Sequence, residues 1–138
     1  MNQIIRNFKR FLDNHGFRYQ TVPDNNNIVV IRNALDKHSS VLMTIIVSSD
    51  DDTSNVIQIT AGGLGDIDEA TYESMTMLNE LNSYYRWFKI YTDDNGRIIL
   101  SSDFLAGEDS NELIMSLIAR VLDIADDCYP KIMRCLWG

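Results

Sequence analysis

The stretch "YRWFKIYTDDNGRIILSSDF", residues 85–104, restricts the fold more than any other part of the chain. Two runs rich in β-branched and aromatic residues flank Asp-Asn-Gly, and glycine supplies the left-handed backbone that a tight hairpin turn requires. Loop length then decides which side chains share a face. A two-residue Asn95-Gly96 turn puts Phe88 and Ile90 with Ile99, leaving Ile98 and Leu100 opposite. A three-residue Asp94-Asn95-Gly96 loop with a left-handed Gly96 aligns Phe88, Ile90, Ile98 and Leu100 instead. Register follows the face that is buried, so the second arrangement is expected. Tyr85, Trp87, Lys89 and Tyr91 then point to the other face, where an antiparallel sheet can meet water.

The rest of the chain repeats the hairpin theme. Ile4, Ile5, Phe8, Phe11 and Leu12 recur at helical spacing, and Gly16 is a natural stop. "FRYQTV", the turn chemistry of "DNNN" and "IVVI" predict a hairpin over 17–34; "SVLMTIIVS" and "NVIQITA", joined by the acidic turn "SDDDTS", predict a second. A helix is predicted over roughly 68–83 from its acidic start and the stripe of Met75, Leu78 and Leu81. Another follows from 108 to 128, with Pro130 expected to break or kink it and "PKIMRCLW" to add a short turn. The expected fold is therefore α+β, a two-layer antiparallel sheet with helices in the order α-β-β-β-β-α-β-β-α, forming a single domain over residues 1–138. With 138 residues, 45% of them hydrophobic, the chain can bury a core without disulfides or metal.

Charge and motifs narrow the chemistry. Twenty acidic against 12 basic residues give a net charge of −8, which repels nucleic acid and anionic membranes. The longest apolar-rich run, "VLMTIIV" at 41–47, falls far short of the roughly 20 residues of a spanning helix, and the start of the chain lacks a signal-peptide pattern, so a cytoplasmic location is expected. Cys128 and Cys135 lie about 10 Å apart along a continuous helix, too far for a bridge. "AGGLGD" at 61–66 precedes a predicted helix but has neither GxGxxG nor GK[ST], and reads as a flexible strand-to-helix connection rather than a phosphate cradle. The acidic runs at 50–52 and 93–94 lack the ligand spacing of a calcium loop, and "DDDTSN" reads as a solvated hairpin tip. His15 and His38 accompany no nucleophile motif. No catalytic residue, cofactor or metal is expected.

Two asparagines, Asn79 and Asn82, end the second helix. Carboxamides at a helix-to-strand junction ordinarily satisfy carbonyls or bond the neighbouring strand, so a structural role is expected. The aromatics that follow make Tyr85, Trp87 and Tyr91 the candidate interaction surface, since exposed aromatics concentrate binding energy.

The segment "LNELNSYYRWFKIYTDDNGRIILSSDF", followed by a long helix closing with "YPKIMRCLWG", resembles the YbjN family of bacterial sensory transduction regulators, whose fold is similar to that of type III secretion chaperones. The resemblance covers nearly the whole chain by element order, and Asn79, Asn82, Tyr129, Pro130 and Trp137 match as fold determinants. Secretion chaperones have three strands before the middle helix, whereas four are predicted here. The resemblance implies no catalysis and chaperone-like or regulatory protein contacts. A non-enzymatic protein-interaction module that binds a protein partner and forms a homodimer is thus the leading expectation. The alternative is a small-molecule-binding or enzymatic domain using the 61–66 connection.

Overall fold

Asn2 starts the first helix: its side-chain oxygen accepts from the Ile4 amide at 2.9 Å and the Ile5 amide at 3.4 Å, satisfying donors that have no intrahelical partner. In the computed structural model, which describes residues 1–138, this helix is α1 (Gln3–Asn14), and Gly16 with φ of 71° follows its end. Next come β1 (Gln20–Val22), β2 (Asn25–Ala34), β3 (Leu42–Ser48) and β4 (Val56–Asp66). Then follow α2 (Tyr72–Tyr84), β5 (Lys89–Thr92), β6 (Arg97–Leu105) and α3 (Asn111–Trp137). The element order is the expected one.

All six strands join one open antiparallel sheet in the order β1-β2-β3-β4-β6-β5. Register sets Val29, Val47, Ile59 and Ser102 in one transverse row, and Ile31, Ile45, Ala61, Leu100 and Ile90 in the next. These rows face the helices. Ile5, Phe8 and Leu12 of α1, Leu81 of α2 and Ile114, Val121 and Cys128 of α3 complete the core against them. Each fully buried side chain of this kind stabilises the fold by about 1.5–3 kcal/mol.

The 85–104 hairpin adopts the three-residue loop. Ile90 pairs with Leu100 and Thr92 with Ile98, while Gly96 has φ of 78°. Phe88, Ile90, Ile98 and Leu100 are all 3% exposed or less, so the buried face set the register.

Four local expectations are corrected. Residues 61–66 are not a flexible connection but the end of β4, with the register slipping between Gly62 and Asp66. The glycines serve that bulge: Gly63 has φ of 131°, and a Cβ there would lie 2.6 Å from the Leu42 carbonyl oxygen. α2 begins at Tyr72, because Thr71 and Ser74 bond each other's backbone as a capping box and leave Asp68 and Glu69 ahead of the helix. α3 runs through Pro130 to Trp137. Proline inside a helix loses a hydrogen bond and costs about 3 kcal/mol in isolation. Here Ile132 is fully buried, and Met133 and Leu136 pack on the core beyond it, so tertiary burial offsets the loss. Finally, the "DDDTS" tip is docked rather than only solvated, since the Asn2 amide group donates to the Asp51 and Ser54 carbonyls, both at 2.9 Å.

Candidate functional site

With α1, α2 and α3 contributing to the core on one side of the sheet, the opposite side is left without a covering layer. Alternation dictates what it carries. Val30, Ile46, Thr60, Ser101 and Lys89 form one row, and Arg32, Thr44, Gly62, Ile99 and Tyr91 the next. Val30, Ile46, Ile99 and Tyr91 are half-buried, and Val56 and Leu105, a register pair at one end, are exposed. Where β4 bulges, the face dips into a cleft of about 680 Å³ lined by Ile46, Gly62, Tyr91, Arg97 and Ile99 among others. The Ser101 hydroxyl lies buried in this face with no hydrogen-bond partner. The face is amphipathic, with Arg32, Thr44, Thr60 and Lys89 set among the half-buried apolar side chains.

The structure separates the three aromatics singled out from sequence. Tyr91 lies on the uncovered face opposite Ile99, with the Lys89 ammonium 5.5 Å from its ring centre. Trp87 is 71% exposed in the turn leading into β5. Its φ of 79° is the one positive value outside glycine, a conformation that costs about 1 kcal/mol or more for a side chain of this kind. Tyr85 does not join them. It caps α2, packs on the core, and donates its hydroxyl to the Asp127 carboxylate of α3. Burial, reinforced by Asp127, raises its pKa above the usual tyrosine range. The expected alternation fails at this point because β5 begins only at Lys89 and the backbone reverses at Trp87.

Asn82 has the structural role expected of it. Its amide nitrogen donates to the Ile90 carbonyl at 2.8 Å and to the Leu78 carbonyl at 3.1 Å, while its oxygen accepts from the Ile90 amide at 2.7 Å. Asn82 thereby imitates a neighbouring strand along the outer edge of β5. Asn79 is exposed. Because Asn82 is itself near water, Asn82→Ala is expected to destabilise by only about 1 kcal/mol, at the low end for an amide serving backbone groups. A urea midpoint unchanged from wild type would count against this role.

Sequence reasoning missed the pairing of His38 with Asp126, which are 88 residues apart. Asp126 accepts from the Lys37 backbone amide and from His38 Nδ1, each at 2.7 Å, and the Tyr129 ring lies 4.8 Å from the imidazole. Burial pushes the Asp126 carboxyl upward, but these bonds and the neighbouring positive charges outweigh it and hold the group below the usual carboxylate range. The pair fastens the β2–β3 connection to α3. Tyr129 thus has a structural contact, whereas Trp137 is 84% exposed at the end of α3 and buries little. Cys128 and Cys135 are free thiols on that one helix, and burial pushes the Cys128 pKa up to about 12. No helix is long and apolar enough to cross a membrane.

No curated protein matches the chain. Among solved structures, a chain in the crystal structure of the ExsC–ExsE complex has a TM-score of 0.62 at 16% identity, covering 94% of this chain and 96% of that one. A chain of the heterodimeric ExoU–SpcU complex, from the type III secretion system of Pseudomonas aeruginosa, has a TM-score of 0.53 at 15% identity, covering 91% and 94% respectively. At such identities the likeness is one of fold. Residues 6–134 match the family described as "Putative bacterial sensory transduction regulator". That span takes in all three hairpins, the uncovered face and nearly all of α3, and the chain belongs to the YbjN family.

Proposed function

We propose that this protein is a non-enzymatic protein-interaction module of chaperone-like or regulatory type, working in the bacterial cytoplasm as one domain. Trp87 carries this reading. A tryptophan held exposed at positive φ is unfavourable for solubility and for backbone strain, and glycine would relieve both, so the residue is best accounted for by a contact made with its ring. Tyr91 supplies another aromatic, this one on the uncovered face, and Tyr85, through Asp127, anchors the segment that presents Trp87. The two solved structures named above are complexes of two different proteins, which supports a binding role. The competing reading, a small-molecule or enzymatic domain using residues 61–66, loses its loop because those residues are strand.

A second copy is the first occupant to test, since two-fold dimers are the commonest soluble oligomers. Light scattering should find a dimer, and Trp87→Ala should weaken it by at least about 1 kcal/mol while circular dichroism stays native. A wild type that remains monomeric at high concentration removes the homodimer, and an unfolded variant would make Trp87 a folding residue instead.

A further inference from the structure

The opposite edge of the sheet carries a separate feature. β1 has three residues against ten in β2, and its pairing runs only as far as Gln20 with Val30. At the two ends of the β2–β3 ladder, the Leu35 amide donates to the Val41 carbonyl and the Ser49 amide to the Asn27 carbonyl. Antiparallel bonding alternates, so odd-numbered residues of β2 turn their amides towards β3 and even-numbered ones turn them outward. Arg32 and Ala34 therefore hold backbone groups at an edge that β1 does not reach. The Asn33 side chain takes up the Ala34 carbonyl at 3.0 Å, leaving the Arg32 amide and carbonyl and the Ala34 amide.

Beside this edge runs an apolar groove of about 300 Å³, lined by Leu12, Phe17, Ile31, Met115, Ile118 and Leu122. Phe17 is 47% exposed. Arg18 and Arg32 stand on its rim, and neither is paired with a carboxylate. Arg32 instead donates to the Gln20 side chain. Asp13 shares the adjoining cleft and is hydrogen-bonded by Tyr19. Arg18 and Arg32 thus bring two positive charges together in a chain of net charge −8.

We infer that the uncovered half of β2 accepts an extended acidic segment of a partner protein, in which apolar residues alternate with Asp or Glu. Strand alternation supplies the pattern. Side chains beside Ile31 enter the groove, and those beside Arg32 emerge next to the two guanidinium groups. A second copy is the poorer occupant, because two-fold pairing of this edge brings like-charged Arg32 side chains together. This inference rests on the protein being a binding module, but uses the sheet edge remote from Trp87 and Tyr91.

The probe is a fluorescent peptide of alternating Val and Glu, N-methylated along one edge so that it cannot pair with itself. Controls are the Val/Lys counterpart and a peptide of the same composition with Val and Glu in separate blocks. By anisotropy at low salt, the alternating acidic peptide should bind at least about tenfold more tightly than either control. Arg32→Glu should weaken it at least about fivefold, and so should Ala34→Pro, which deletes the outward amide but no bond to β3. Arg32 is exposed, so its variant keeps the test decisive if Ala34→Pro impairs folding. Equal binding of all three peptides, or full affinity in a folded Arg32→Glu variant, overturns the inference. Peptide failure alongside a dimer still weakened by Trp87→Ala removes the edge site alone. Peptide binding by a protein that is monomeric removes the dimer and leaves the edge site supported.

Discussion

Replacing Asn2 by alanine is expected to destabilise the protein by about 2–4 kcal/mol and to lower its Tm by roughly 6–15 °C. Asn2 is 1% exposed. Its oxygen caps α1, and loss of a cap typically costs about 1 kcal/mol. Its amide nitrogen does more, because two hydrogens are shared among the Ser49 hydroxyl at 3.0 Å and the Asp51 and Ser54 carbonyls at 2.9 Å. Removing them leaves one buried and two part-buried acceptors without a donor, which adds about 1–3 kcal/mol. The backbone amide of Asn2 also donates to Asn27 at 2.7 Å, so displacement of the helix start would disturb β2 as well. Asn2→Asp separates the contributions. A carboxylate retains the cap and favours the helix N-terminus, yet it faces the two carbonyls with no donor. The aspartate variant should therefore be about as unstable as the alanine variant in thermal and urea unfolding. Recovery of wild-type stability by aspartate would assign the whole effect to capping.

Gly96→Ala is the second large effect expected, a loss of about 2–3 kcal/mol. Gly96 has φ of 78°, and a Cβ there would collide with the backbone carbonyl oxygen of Ile67. That oxygen cannot move independently, because the Ile67 amide donates to the Gly96 carbonyl at 2.7 Å. Relief of the collision thus breaks the bond that docks the hairpin tip on the segment before α2. Asparagine tolerates left-handed backbone better than alanine does but still carries a Cβ. Gly96→Asn should recover only the conformational part, well under half of the loss. Full recovery in urea unfolding would mean that φ alone requires glycine, and that the approach to Ile67 is unimportant.

These two positions differ in how far they could be read beforehand. A left-handed Gly96 follows from loop length and apolar alternation within twenty consecutive residues, and the structure has that register. What Gly96 touches is not local, and nothing around it announces Ile67. Asn2 precedes Ile4 and Ile5 as a helix cap often does, whereas its other partners lie 25 to 52 residues away. Asn82 was legible in kind, because a helix end leading directly into a strand leaves few backbone groups within reach of its amide.

Nine elements in their order, the antiparallel hairpins and the helix-facing side of β5 and β6 were legible in the residues alone. Periodicity and turn chemistry act over a few residues and are written in consecutive letters. Long-range packing settled that β4 continues through Gly62–Asp66, that α3 passes Pro130, that Tyr85 turns to Asp127 and that Asp126 holds His38. In each case a local preference is weak, about a few kcal/mol at most. Burial against distant elements, or a charge and hydrogen bond brought together by the fold, is of comparable size and decides the outcome.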